Sequence, residues 1–194
     1  GHSIGRRMRV LRARHRELVD IISLQPQPGS KLRVLDHPAP TAYCLPGRES
    51  RVVISQGVLD AMPPKAFAAV LAHEGAHLRA RHDLLIEFFS VIHETVPEPV
   101  RCGVAMSEVR LLVEALADRA SVRRVGALPT RVALLTLSGS KAPVGAMAAG
   151  TGSTAVRLDL VDRAAPRPLL SGVIYAYAAG LIALPLGLLA LAWS

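Results

Sequence analysis

Aromatic side chains are scarce in this chain: one Trp, three Tyr and three Phe among 194 residues, 4% in all. Proteins that hold single-stranded nucleic acid stack the bases on aromatic rings, so the net charge of +8 lacks the residues that such binding uses. The basic cluster Arg6, Arg7, Arg9, Arg12, Arg14 and Arg16 is short and has no interleaved aromatics. It suits anionic lipid headgroups instead, and no nucleic-acid partner is expected. Cysteine is nearly absent too. Cys44 and Cys102 show neither a metal-type spacing nor a disulfide framework, so both are expected as reduced thiols. No internal repeat is evident, and no cleavable secretory signal is expected at the N-terminus.

Charge is missing altogether from Leu169 to Trp193. Crossing a hydrocarbon core of about 30 Å takes roughly 20 apolar residues, so residues 169–193 are expected to form a transmembrane helix. Gly172, Gly180, Pro185 and Gly187 weaken a soluble helix but are tolerated in a membrane. Arg163 and Arg167 precede the run and no basic residue follows it. The positive-inside rule then places the preceding domain on the cytoplasmic side of the cell membrane, with membrane lipids as partners. The chain begins with Gly1 rather than Met, so it is expected to be a piece of a longer protein, and earlier transmembrane helices are expected to be missing from it.

What the chain does have is His73-Glu74-Gly75-Ala76-His77, inside the run Ala66-Phe67-Ala68-Ala69-Val70-Leu71-Ala72. Alanine and leucine favour a helix here, and Pro63-Pro64 suits its first turn. Histidines at i and i+4 project from one helical face. That spacing lets two imidazoles share one Zn2+, with Glu74 placed as general base for a metal-bound water. Zinc lowers the pKa of such a water towards neutrality and polarises a carbonyl, which is peptide-hydrolysis chemistry.

A catalytic zinc usually has three protein ligands. Glu114, on a helical pattern from about Met106 to Val125, is the best third candidate, and Asp118 shares its face one turn on. Asp118 is then placed to orient a ligand histidine through its free ring N–H. Asp83, Glu87, His93, Glu94 and Glu108 compete for the third position. Asp83 and Glu87, read as continuing the first helix, lie too far beyond His77, whereas His93 and Glu94 stay open.

Arg33-Val34-Leu35 and Arg51-Val52-Val53-Ile54 read as short strands, with Pro38, Pro40, Pro46 and Gly47 at the bends. A strand from Thr41 to Leu45 offers an edge beside the zinc. There Ala42, Tyr43 and Cys44 are expected to bind substrate by adding it as a further strand. The fold class is therefore α+β and mostly helical: a zincin-like domain with a small sheet, plus the C-terminal transmembrane helix. Residues 1–29 are read as a basic juxtamembrane helix and linker, and residues 30–168 as the metallopeptidase domain. Within it, 138–154 form a Gly-, Ala- and Ser-rich flexible loop.

Val70-Leu71-Ala72-His73-Glu74-Gly75-Ala76-His77-Leu78-Arg79-Ala80-Arg81-His82 followed by Glu114-Ala115-Leu116-Ala117-Asp118 resembles the membrane-embedded zinc peptidases. That clan joins the BlaR/MecR antirepressor type with the HtpX-like and CAAX prenyl endopeptidases. Asp36–Gly47 and Val52–Leu59 resemble the segment before the active-site helix in these families, so the likeness runs over approximately residues 30 to 125. It implies His73, His77 and Glu114 as zinc ligands, Glu74 as base and Asp118 as partner of a ligand histidine. Thr41 stands where relatives often carry asparagine. His82 matches a recurrent histidine of the HtpX side, and is read as a helix-end or site-edge residue rather than a ligand, because it lies five residues past His77.

The expected function is that of a membrane-bound zinc metalloendopeptidase cutting protein or peptide substrates. The antirepressor resemblance implies signalling or proteolytic regulation. The alternatives are HtpX-like membrane-protein quality control and a non-catalytic, zinc-stabilised membrane regulator. Intact Glu74 argues against the last, because a closed structural site has no use for a base.

Overall fold

A computed structural model describes residues 2–24, 29–47, 49–97, 103–138 and 151–163. The chain divides into two compact units, Gly1–Asp162 and Arg163–Ser194, and the first is the one described. The uncharged run at 169–193 lies outside the described residues, as does Cys102. Among the described residues no helix is long and apolar enough to cross a membrane.

The first unit is mostly helical, with one small mixed sheet. Its elements are α1 (His2–Ile22), β1 (Ser23–Leu24), β2 (Leu32–Leu35), β3 (Ala42–Leu45), β4 (Arg51–Ser55), α2 (Gln56–Ala61), α3 (Pro64–Arg79), α4 (His82–Thr95), α5 (Gly103–Val125), α6 (Ala127–Ser138) and α7 (Thr151–Asp162). The strand order is β1-β2-β4-β3. β2 and β4 run parallel, while β1 on β2 and β3 on β4 are antiparallel. The strands expected from sequence are present as β2, β3 and β4. β1 falls in the stretch read as helix and linker, and α7 begins inside the stretch read as a loop.

Strand alternation splits β3 between two cores. Tyr43 and Leu45 pack with Val19 of α1 and Val53 of β4. Ala42 packs on the other face with Val58, Met62, Ala66, Ala69 and Val70. The basic helix α1 is thus bound to the sheet at its C-terminal end, where Val19 is buried. Polar contacts hold it there: Arg16 donates to the Pro46 carbonyl at 2.8 Å, and His15 Nε2 meets the Tyr43 hydroxyl at 3.1 Å. Asp20 receives Arg33 at 2.6 Å and Arg51 at 3.1 Å. Those two guanidiniums keep its carboxyl below the usual carboxylate range against a smaller opposing effect of burial.

The turn into α2 depends on close backbone approach. Gly57 N–H donates to the His37 carbonyl at 3.0 Å, and a Cβ at Gly57 would overlap the Pro38 carbonyl. Ser55 closes the same loop, its hydroxyl donating to the Ala39 carbonyl at 2.8 Å and accepting from Thr41 N–H at 2.9 Å. α3 then starts on Pro64, as its sequence predicts.

Small residues let α3 and α5 come close: Ala66, Ala69, Ala72 and Ala76 on one, Ala117 on the other, are all buried. Ser121 on α5 donates to the Ala69 carbonyl at 3.0 Å and meets the Thr130 hydroxyl of α6 at 3.0 Å. Glu114, Asp118 and Ser121, at i, i+4 and i+7, therefore share the face of α5 turned to α3. α7 packs against α5 and α6.

One expectation is corrected. Asp83 and Glu87 do not continue the first helix, because α3 ends at Arg79 and Arg81 takes a left-handed conformation, φ 52°. A non-glycine residue there costs about 1–2 kcal/mol. α4 starts afresh at His82.

Candidate active site and metal centre

His73 and His77 leave α3 on the side facing α5, one turn apart, with Glu114 opposite. His73 Nε2 lies 3.0 Å from His77 Nε2 and 3.4 Å from Glu114 Oε2. His77 Nε2 lies 3.5 Å from Glu114 Oε1. Bonds of about 2.0–2.1 Å to a tetrahedral zinc separate the donor atoms by roughly 3.3 Å, so the three side chains fit one ion. Among the described residues the candidate metal cluster consists of His73, His77 and Glu114. The competing ligands Asp83, Glu87, His93, Glu94 and Glu108 are not part of it.

Each imidazole keeps its Nε2 for the shared point because its other nitrogen is engaged elsewhere. His73 Nδ1–H donates to Asp118 Oδ1 at 2.9 Å. His77 Nδ1 faces His82 Nδ1 at 3.0 Å. Outer contacts of this kind set which nitrogen is left for a metal.

Arg157 of α7 is the residue that sequence reasoning missed. Its Nε and Nη2 grip the two oxygens of Asp118 at 2.7 and 2.8 Å, and its Nη1 reaches Glu114 at 3.1 Å. The guanidinium is buried and fixes both carboxylates, a planar fork that only arginine supplies. Nothing in the sequence distinguishes it among the 23 Lys and Arg residues of the chain.

The charges are strongly coupled. Burial pulls the His73 pKa down, but Asp118 and Glu114 outweigh it and raise it to about 10. Burial, reinforced by the neighbouring His73 charge, lowers His77 to about 4. Burial tends to raise Glu114 and Asp118, yet His73 and Arg157 hold both below their ordinary values.

Glu74 is buried beside this group. Burial raises its pKa, offset in part by His73, which moves the carboxylate towards the range of a general base. The Cys44 thiol is itself pushed up, first by burial and then by the neighbouring Glu74 charge. β3 therefore runs past Glu74. Among the described residues its outer edge has no partner strand. Ala42 and Cys44 turn their side chains to the α3 face, and Tyr43 turns to α1. Thr41 uses its hydroxyl on the Ala39 carbonyl, at 3.3 Å.

No curated protein and no solved structure gives a match to the chain. The family model for Peptidase family M48 matches residues 6–96, which take in the sheet, α3 and α4 but end before Glu114, Asp118 and Arg157. Over that stretch, just under half of its length, the chain is similar to a peptidase family, and the match supports its place among the metallopeptidases.

Proposed function

We propose that this protein is a membrane-bound, zinc-dependent metalloendopeptidase. The observation that carries the reading is the convergence of His73, His77 and Glu114 on one point, at donor separations of 3.0–3.5 Å, with the buried Glu74 alongside. Zinc bound there supplies a polarised carbonyl and a water of lowered pKa. The protein's own groups do the rest. Glu74 takes the water's proton, Asp118 holds His73 through Nδ1, and Arg157 anchors Asp118 and Glu114. The β3 edge at Ala42, Tyr43 and Cys44 receives an extended substrate backbone, with peptide segments of proteins as the substrate class.

The membrane reading draws on the uncharged run at 169–193 and on the basic N-terminal cluster. It also draws on the apolar residues that α4 leaves exposed, among them Leu84, Phe88 and Val91, since exposed apolar clusters mark sites of interaction. Facing the domain to the cytoplasm follows from the arginines before the run. An antirepressor-type signalling role rests on the sequence resemblance, and HtpX-like quality control is its alternative.

The test is zinc per chain, measured with peptide hydrolysis in the parent, Glu114→Ala and Glu74→Gln. The expected result is near-stoichiometric zinc in the parent, loss in Glu114→Ala, and retention in Glu74→Gln with hydrolysis down by about 10²–10⁴-fold. Unchanged zinc in Glu114→Ala moves the third ligand elsewhere. A parent that binds no zinc after reconstitution ends the metallopeptidase reading.

A further inference from the structure

The two histidines of α3 are supported differently. His73 has a carboxylate behind it, whereas His77 has a third histidine. His82 is 5% exposed, and its ring stands edge-on to that of His77, with centroids 4.8 Å apart and planes at 87°. Their Nδ1 atoms are 3.0 Å apart. We propose that His82 is a positioning residue: its Nδ1 lone pair accepts the Nδ1–H of His77 and so fixes the tautomer that leaves His77 Nε2 for the metal. The proposal rests on the metal reading above.

Three observations carry it. First, residues i and i+5 of a regular helix stand about 140° apart around the axis, so an unbroken α3 would turn residue 82 away from His77. The chain breaks between them instead. Second, the break is made by Arg81 at φ 52°, a left-handed residue just past the C-cap of α3 that turns the chain back and lets α4 begin at His82. Third, two Nδ1 atoms at this distance need one proton between them. If His77 gives its Nε2 lone pair to a metal, the proton must sit on His77 Nδ1. His82 is then the acceptor and carries its own proton on Nε2.

Two variants separate acceptor from filler. Asn places an oxygen one bond from Cγ, where His has Nδ1, so His82→Asn keeps the acceptor. His82→Leu fills similar space without one. Zinc affinity is measured by chelator competition in the parent and both variants, together with the visible absorption of the cobalt-substituted proteins. The expected result is a loss of about 10–100-fold in zinc affinity for His82→Leu with an altered cobalt spectrum, while His82→Asn stays close to the parent in both.

Equal losses in the two variants, or parent-like affinity in His82→Leu, overturn the proposal. Nitrogen-15 spectra of the zinc-loaded parent test it without substitution and cover the case of a variant that does not fold. His77 protonated on Nδ1 and His82 on Nε2 is the expected pattern, and His82 protonated on Nδ1 overturns it. A parent that takes up no zinc fails at the metal reading itself. A parent that binds zinc indifferently to residue 82 fails only here.

Discussion

Arg157 shows how much of the site hangs on one side chain. It neutralises two buried carboxylates, and through Asp118 it also sets the tautomer of His73. Replacing it with Gln leaves Asp118 and Glu114 without their shared cation, and removing one partner of a buried charge pair costs about 3–5 kcal/mol. Denaturant unfolding of metal-free Arg157→Gln is expected to show a loss of that order. Chelator competition is expected to show zinc affinity down by about 10–100-fold. Arg157→Lys should recover little of either, since an ammonium cannot grip both oxygens of Asp118 in the plane. A Lys variant with parent-like zinc affinity would reduce Arg157 to a source of charge.

At the scale of elements, two glycines make opposite predictions. Gly75 sits inside α3 between Glu74 and His77, and a Cβ there meets only the flexible end of Arg79, at 3.0 Å. Gly75→Ala is therefore expected to stabilise the fold by up to about 1 kcal/mol. Gly57, where the Pro38 carbonyl leaves no room, behaves differently. Gly57→Ala forces the loop before β3 outward and is expected to cost about 1–3 kcal/mol. Because that loop leads into β3, peptide hydrolysis should weaken with it. Thermal unfolding of the two variants checks both signs.

The helices themselves were readable: Pro63-Pro64 announces α3, and the apolar period over Met106–Val125 announces α5. Their mutual register was not, because it depends on the Ser121 hydroxyl reaching the Ala69 carbonyl across 52 positions of chain. The break after Arg79 escaped as well. Its sequence, Ala80-Arg81-His82, contains neither glycine nor proline, and Arg81 ends the helix in the left-handed conformation that usually falls to glycine.

For the whole molecule, the charges of the site are expected to make both zinc binding and stability depend on pH. With no metal bound, His73 holds its proton to about pH 10, and zinc must displace it. Apparent zinc affinity should therefore rise about tenfold per unit between pH 6 and 8, read by chelator competition at several pH values; a flat profile would mean that His73 is already neutral. The stability of the metal-free protein follows two opposite signs. The folded pKa of His73 is raised, so its contribution is complete below about 6.5 and is lost as pH rises through about 10. His77 is depressed to about 4, so its contribution is present above about 6.5 and is lost as pH falls through 4. Glu114 and Asp118, both lowered, add to the loss on the acid side. Urea midpoints should accordingly fall away at both ends of that window.

The sequence by itself determined the pieces whose signal is local. Histidines four apart on a helix share a face by the geometry of 3.6 residues per turn, and Glu114 with Asp118 repeats that spacing, so His73, Glu74, His77, Glu114 and Asp118 were legible as candidates for one site. The short strands were legible from branched residues between prolines and glycines. Only the tertiary structure decided which elements meet. It brought α7 to α5, so that one arginine among many became the anchor of two carboxylates. It bent the chain at Arg81, so that His82 came back beneath His77. Both are contacts between separate elements, and no residue pattern along the chain records them, because their stabilisation comes from burial and pairing that exist only once the helices have packed.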